Sequence, residues 1–242
     1  MQREYAEAAF LEKARGSSPQ LRAYYERYRP SIPWPIHWLV DDGMHPRIHG
    51  CTAHQNDECA IILSQFPTTK NAHVLAHELG HLVLDAEGFP LTTPLASSGP
   101  LQALSGSLNS ALQDPIIEAR LGVFGFRTVE KYKRWSLDVR EDMVSAHHAF
   151  GDQAPFELQT ERMLMLVKHR LWWNAIAPGR ADIYFWAWLE REFPSLAEAA
   201  GILSAVVENL GYSTPDSMSS AINELRRSLN LEGALSEPTT CR

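Results

Sequence analysis

The residues best equipped to do chemistry are His77-Glu78-Leu79-Gly80-His81. Two histidines four positions apart on a helix sit just over one turn from each other, so both imidazoles project from one face and can share a divalent ion. Glu78 comes one residue after the first histidine, which puts it beside such an ion rather than on it. A carboxylate in that place can take a proton from an attacking water and pass it to a leaving amine. The spacing therefore predicts one Zn²⁺ per chain, with His77 and His81 as ligands, Glu78 as general base, and a peptide or protein as substrate. Val74, Leu75, Leu79, Leu82 and Val83 give the same stretch an apolar body. A helix of that kind is buried, and a buried histidine or glutamate without a partner is costly, which a metal would remedy. Ala76 and Gly80 are small enough to let a substrate strand or second helix come close.

A catalytic zinc takes three protein ligands and keeps a fourth position open. A third histidine six residues after the second is ruled out, because Glu87 stands there, and the inverted H-x-x-E-H order is absent. The remaining common solution is a glutamate on a second helix. Asp114-Pro115-Ile116-Ile117-Glu118-Ala119-Arg120-Leu121 offers Glu118 among apolar neighbours, and the competing reading is a carboxylate paired with a cation such as Arg120. Asp114, at i−4 from Glu118, shares its face and could accept the ring N–H of a ligating histidine. It reads equally well as a helix cap ahead of Pro115. Asp85, one turn after His81, is a weaker rival for either role. An amide hydrolase also needs a donor for the oxyanion that develops on the carbonyl. His147, His148 and Tyr132 are the candidates, with His169 behind them, and each is also readable as a structural residue.

These side chains must be positioned by the elements around them. The first thirty residues read as helix, with Tyr5, Ala8, Ala9, Phe10 and Ala14 at helical spacing, a break at Gly16–Pro19, and a second helix from Pro19, capped by Ser18, to Arg29. Pro30, Pro33 and Pro35 end it. Strands are expected at Ile36–Val40, more weakly at Arg47–Thr52, and at Glu58–Ser64, directly before a helix from about Lys70 to Ala86. Beyond a Ser/Gly/Pro/Thr-rich stretch from Gly88 to Pro100, which could rim a cleft, helices are expected at Leu101–Leu112, Pro115–Leu121, Val129–Phe150, Phe156–Ala177, Asp182–Glu192, Leu196–Leu210 and Pro215–Leu229. The fold class expected is α+β and predominantly helical, with a small sheet before the histidine helix and a helical C-terminal half. As domains, residues 1–125 form the metal-bearing core with its N-terminal helices, and 126–242 a helical region packed on it. The aromatic run Trp172, Trp173, Tyr184, Phe185, Trp186 and Trp188 reads as core.

Composition narrows the classes. Of 242 residues 45% are hydrophobic and 21% charged, an ordinary globular balance, and the net charge of -7 carries no basic stripe, so nucleic acid is not expected as a partner. Lys131, Lys133 and Arg134 are flanked by Glu130 and Asp138 and read as a solvated face. Three cysteines, Cys51, Cys59 and Cys241, make no disulfide framework. With no apolar run of signal or membrane length, a cytoplasmic protein without a membrane partner is expected. His49, Cys51, His54 and Cys59 crowd one segment, but their spacing matches no standard zinc ribbon or finger.

The strand Cys59–Ser64, a short loop, and a helix bearing His77-Glu78-Leu79-Gly80-His81-Leu82-Val83-Leu84 together resemble the ImmA/IrrE-type zinc peptidases, within the broader gluzincin group. Glu118-Ala119-Arg120 is similar to the Glu-Ala-Asn of that family's third-ligand helix, with Arg120 in place of the asparagine. The resemblance covers about residues 36 to 125. It implies an intracellular zinc metallopeptidase with few substrates and a regulatory role. The rival expectation, from a different class, is a non-catalytic binding or regulatory module that keeps zinc as scaffold; an intact Glu78 argues against it.

Overall fold

The computed structural model describes residues 2–44, 49–55, 57–66, 68, 71–150, 153–180, 182 and 185–240. The fold is α+β and predominantly helical, with a small four-stranded mixed sheet and a separate two-stranded pairing of residues 90–91 with 239–240. The chain divides into two compact units that alternate along the sequence. The first holds residues 1–88, 120–126 and 240–242; the second holds 89–119 and 127–239.

In the first unit the elements are β1 (Gln2–Tyr5), α1 (Glu7–Ser17), α2 (Pro19–Tyr28), β2 (Ile36–Asp41), β3 (Gly50–Gln55), β4 (Glu58–Leu63) and α3 (Ala72–Ala86). The helix expected at the very N-terminus begins only at Glu7, because residues 2–5 pair antiparallel with β2, from Gln2 opposite Asp41 to Tyr5 opposite Trp38. That ladder pairs the backbone groups on the strand's β2 side, and the Tyr5 ring packs on Phe10 and Phe66. Ser18 caps α2 as its position suggests, its Oγ accepting from the Leu21 N–H at 3.2 Å. The weak strand expected at Arg47–Thr52 runs instead from Gly50 to Gln55, and residues 45–48 lie outside the described residues, as do Pro67, Thr69 and Lys70 ahead of α3.

Strand order is β1-β2-β4-β3, with β2 parallel to β4 and β3 antiparallel to it at the edge. Side chains alternate across a sheet, so residues opposite each other share a face. Ile36 and Trp38 of β2 lie opposite Cys59 and Ile61 of β4, and Leu63 opposite Gly50. All but the glycine are buried large or sulfur-bearing side chains, which makes this the inward face. Leu75, Ala76, Leu79, Leu82 and Val83 of α3 are buried in the same unit. The expected apolar body of the histidine helix is therefore present. Gly88, with φ +82°, takes the left-handed conformation that stops α3.

The second unit is built from most of α4 (Gly99–Val123), then α5 (Thr128–Phe150), α6 (Phe156–Ile176), α7 (Trp186–Glu192), α8 (Pro194–Leu210) and α9 (Pro215–Ser228). Two helices were expected where α4 runs unbroken, with Pro115 inside it and Asp114 not at a cap. An internal proline costs about 3 kcal/mol. Leu104, Leu108, Ala111, Leu112 and Ile117 are fully buried along this helix, and each large side chain contributes roughly 1.5–3 kcal/mol, so burial wins. Phe185, Trp186, Trp188, Trp172 and Trp173 are buried as expected of core aromatics; Tyr184 lies outside the described residues.

Candidate metal centre

The first unit positions the histidine motif on the two middle turns of α3. The imidazole centroids of His77 and His81 are 5.0 Å apart with their planes near perpendicular, as expected of side chains stacked at i and i+4. His77 and Glu78 are buried, and His81 is half-buried. Two imidazoles held this close on one helix are able to share a metal ion.

Glu78 points at the edge strand. A Cβ placed on Gly50 would lie 2.9 Å from Glu78 Cγ, Glu78 Oε1 and Val74 Cγ1, closer than side-chain carbons approach. Gly50 occupies an inward register position, so the glycine is what lets the carboxylate of Glu78 lie against the backbone of β3. Next to it, burial and the charge of Glu78 raise the Cys51 thiol above its ordinary pKa. Nothing in the sequence flagged Gly50 as part of a site; its signal, a glycine in a strand that allows close approach, is visible only once the partner is known.

One turn beyond His81, Asp85 is buried, and burial pushes its carboxyl up to about 7. His54 of β3 lies near it, with Nδ1 to Oδ2 at 3.9 Å, and the His54 ring lies against Trp34 at 4.3 Å. The ladder puts Cys51 and Cys59 on opposite faces of the sheet, and no metal-capable group among the described residues includes either. The second, structural zinc weighed for this segment gains no support.

The end of α4 belongs to this unit and runs beside α3. Arg120 makes a two-pronged pair with Glu87, at 3.0 and 2.7 Å, and this pairing raises its pKa against the pull of burial. The competing reading of Glu118 as a carboxylate paired with a cation therefore holds with Lys131, not Arg120, as the cation. Phe124 packs on Tyr24 and Tyr28, and Phe126 on His73, 5.2 Å between ring centres. His73 lies on the same stripe of α3 as His77 and His81, being four and eight residues ahead of them.

The two candidate carboxylates of α4 lie in the second unit. Glu118 is fully buried and accepts from Lys131 Nζ at 2.6 Å, the nitrogen standing 5.5 Å over the Trp172 ring. Asp114 is buried beside Lys168, its ion-pair partner. The oxyanion candidates are in that unit too. His147 and His148 are exposed on α5, while Tyr132 is buried, its hydroxyl donating to Asp182 Oδ2 at 2.5 Å. The same hydroxyl lies 2.6 Å from His169 Nδ1, and Ser136 Oγ lies 2.8 Å from His169 Nε2. Burial first, then Asp182, raises the Tyr132 pKa, and burial holds His169 well below its ordinary value. A network satisfied in this way does structural work in the core.

Comparison with protein-family models, with curated proteins and with solved structures finds no match. No helix among the described residues is long and apolar enough to cross a membrane.

Proposed function

We propose that this chain is a zinc-dependent hydrolase that cleaves peptide bonds. The observation that carries the reading is the pair His77 and His81, 5.0 Å apart on one buried helix with Glu78 between them. The third ligand in this reading is a carboxylate of α4, Glu118 or Asp114.

When bound, zinc would acidify water and polarise the scissile carbonyl. The chain's own residues do the rest. Glu78 takes the proton of the attacking water as the C–O bond forms and delivers it to the departing amine nitrogen as the C–N bond then breaks. Gly50 keeps Glu78 against β3, and β3 is an edge strand, the kind of element on which an extended peptide can be aligned by backbone hydrogen bonds. Two free thiols, Cys51 and Cys59, suit a reducing, cytoplasmic setting.

Glu78→Gln keeps the side chain's shape and removes its basicity. Zinc content and melting temperature are expected to hold, while cleavage falls by at least ~10²–10⁴-fold. Comparing the proteomes of cells carrying wild type and Glu78→Gln should reveal products present only with wild type. Identical proteomes and undiminished cellular function would instead assign the zinc helix to a non-catalytic module.

A further inference from the structure

The inward face of β3 meets α3 at two points. One is Gly50 on Glu78; the other is His54 beside Asp85, with Nδ1 to Oδ2 at 3.9 Å. Gly50 and His54 lie four residues apart on the face that β4 lines with Leu63, Ile61 and Cys59, about 13 Å along the strand. Glu78 and Asp85 lie seven residues apart, just under two turns, so they share a face of α3 about 10 Å apart along its axis. Strand and helix therefore run in the same direction with matched spacing, and the two points set their register.

The second point holds an unmet need. Both ring nitrogens of His54 and Oδ1 of Asp85 are shut off from water without a hydrogen-bond partner. The two side chains are only 9% and 7% exposed, and the His54 ring packs on Trp34. Neither makes any other ion pair or hydrogen bond among the described residues. Buried donors and acceptors left unpaired are costly, and folded proteins rarely keep them. Burial alone pushes the Asp85 carboxyl up to about 7, as befits an acid with no donor holding its charge. The two groups stand about 1 Å outside hydrogen-bond range. Rotation about the soft χ2 torsion of Asp85 closes that gap.

We propose that His54 and Asp85 form a one-proton couple, Nδ1 to Oδ2, that clamps edge strand β3 to α3 and keeps Gly50 seated on Glu78. The proton leaves either a neutral acid beside a neutral ring or a carboxylate beside an imidazolium. Both forms have zero net charge, which a place closed to water tolerates far better than a lone ion. Because β3 is paired on one side only, by β4, the couple supplies a second hold on it. His54 is thus a positioning residue for Glu78. Its consequence for cleavage rests on the hydrolase reading, whereas the clamp itself does not.

The test is a double-mutant cycle in the full chain. His54→Phe keeps a ring against Trp34 and removes the donor; Asp85→Leu removes the acceptor at similar size. Each single variant orphans one buried polar group and the double variant orphans none. Urea melts should therefore give a coupling of about tenfold or more in the unfolding constant. The second readout is alkylation of Cys51 by iodoacetamide, followed by peptide mass spectrometry. Burial and the charge of Glu78 hold that half-buried thiol above its ordinary pKa. If β3 drifts from Glu78 in His54→Phe, Cys51 should react about threefold faster for each unit its pKa falls. His54→Asn, whose amide nitrogen stands where Nδ1 did, should react close to the wild-type rate. His54→Gln, whose amide reaches the Nε2 position instead, carries the same comparisons should His54→Phe not fold. On the hydrolase reading, kcat of His54→Phe should fall about tenfold or more at unchanged zinc content, with most of it recovered in His54→Asn. A wild type that cleaves nothing would refute that reading and leave the clamp to be decided by the melts and the alkylation. Additive stability effects, Cys51 alkylated at the wild-type rate in His54→Phe, or an unchanged kcat would each overturn the proposal.

Discussion

Gly50→Ala is the sharpest single perturbation of the candidate site, because its cost can be worked from geometry. The new methyl group would meet Glu78 Cγ, Glu78 Oε1 and Val74 Cγ1, all at 2.9 Å. Ordinary carbon contacts begin near 3.5 Å, so Glu78 and Val74 must each give by about half an ångström, or β3 must shift by as much. Overpacking of this kind costs about 1–3 kcal/mol, and replacing a strand glycine returns about 0.5–1 kcal/mol of backbone entropy. The net expectation is a loss of about 1–2 kcal/mol, visible as a lower urea midpoint at unchanged slope. Glu78 is the neighbour with most freedom to shift, and displacing a catalytic group by ~1 Å can cost 10²-fold in rate. Peptide hydrolysis should therefore fall far more than stability does, while zinc content stays near wild type. Adding Val74→Ala removes one of the three collisions, and part of the stability should return. If Gly50→Ala is as stable and as active as wild type, the placement of Glu78 against β3 is wrong.

Two other outcomes are expected. Of Glu118→Gln and Asp114→Asn, the variant lacking the third ligand should lose zinc, whereas loss of an outer partner costs about 10–100-fold in affinity; a competitive chelator titration reads this, and unchanged affinity in both would remove α4 from the site. For pH, burial keeps His169 neutral in the folded state, well below its ordinary 6.5. As pH drops below about 6.5 the unfolded ring gains a proton that the folded ring refuses, so stability contributed by His169 is lost at up to about 1.4 kcal/mol per unit. Asp85, with its carboxyl raised to about 7, acts oppositely, losing its contribution as pH rises from 3.8 through that value. The stability of wild type minus that of His169→Gln, from urea melts, isolates the histidine and should shrink between about pH 7 and about pH 5; a constant difference would refute the assignment.

Periodicity made the helices legible, since burial of one face dictates both the sequence spacing and the structure. Ser18 before Pro19 and Gly88 after Ala86 marked helix ends through chemistry that is local to the chain. Asp114-Pro115 carried the same kind of mark and misled, because burial of Leu108, Leu112 and Ile117 outweighs a local preference that sequence alone displays. Gln2–Tyr5 is a strand only because β2 is there to pair with it. Within the candidate site, His77, Glu78 and His81 announce themselves by spacing. Gly50 and the grip of Arg120 on Glu87 do not, since each depends on a residue 28 or 33 positions away.

The central claim is a zinc ion held by His77 and His81. Elemental analysis of the purified chain beside His77→Ala tests it most directly. About one zinc per wild-type chain is expected, with close to none in the variant, since losing one of three ligands abolishes tight binding. A wild-type chain that carries no zinc and takes up none on reconstitution, or a His77→Ala chain that holds as much as wild type, would contradict the account.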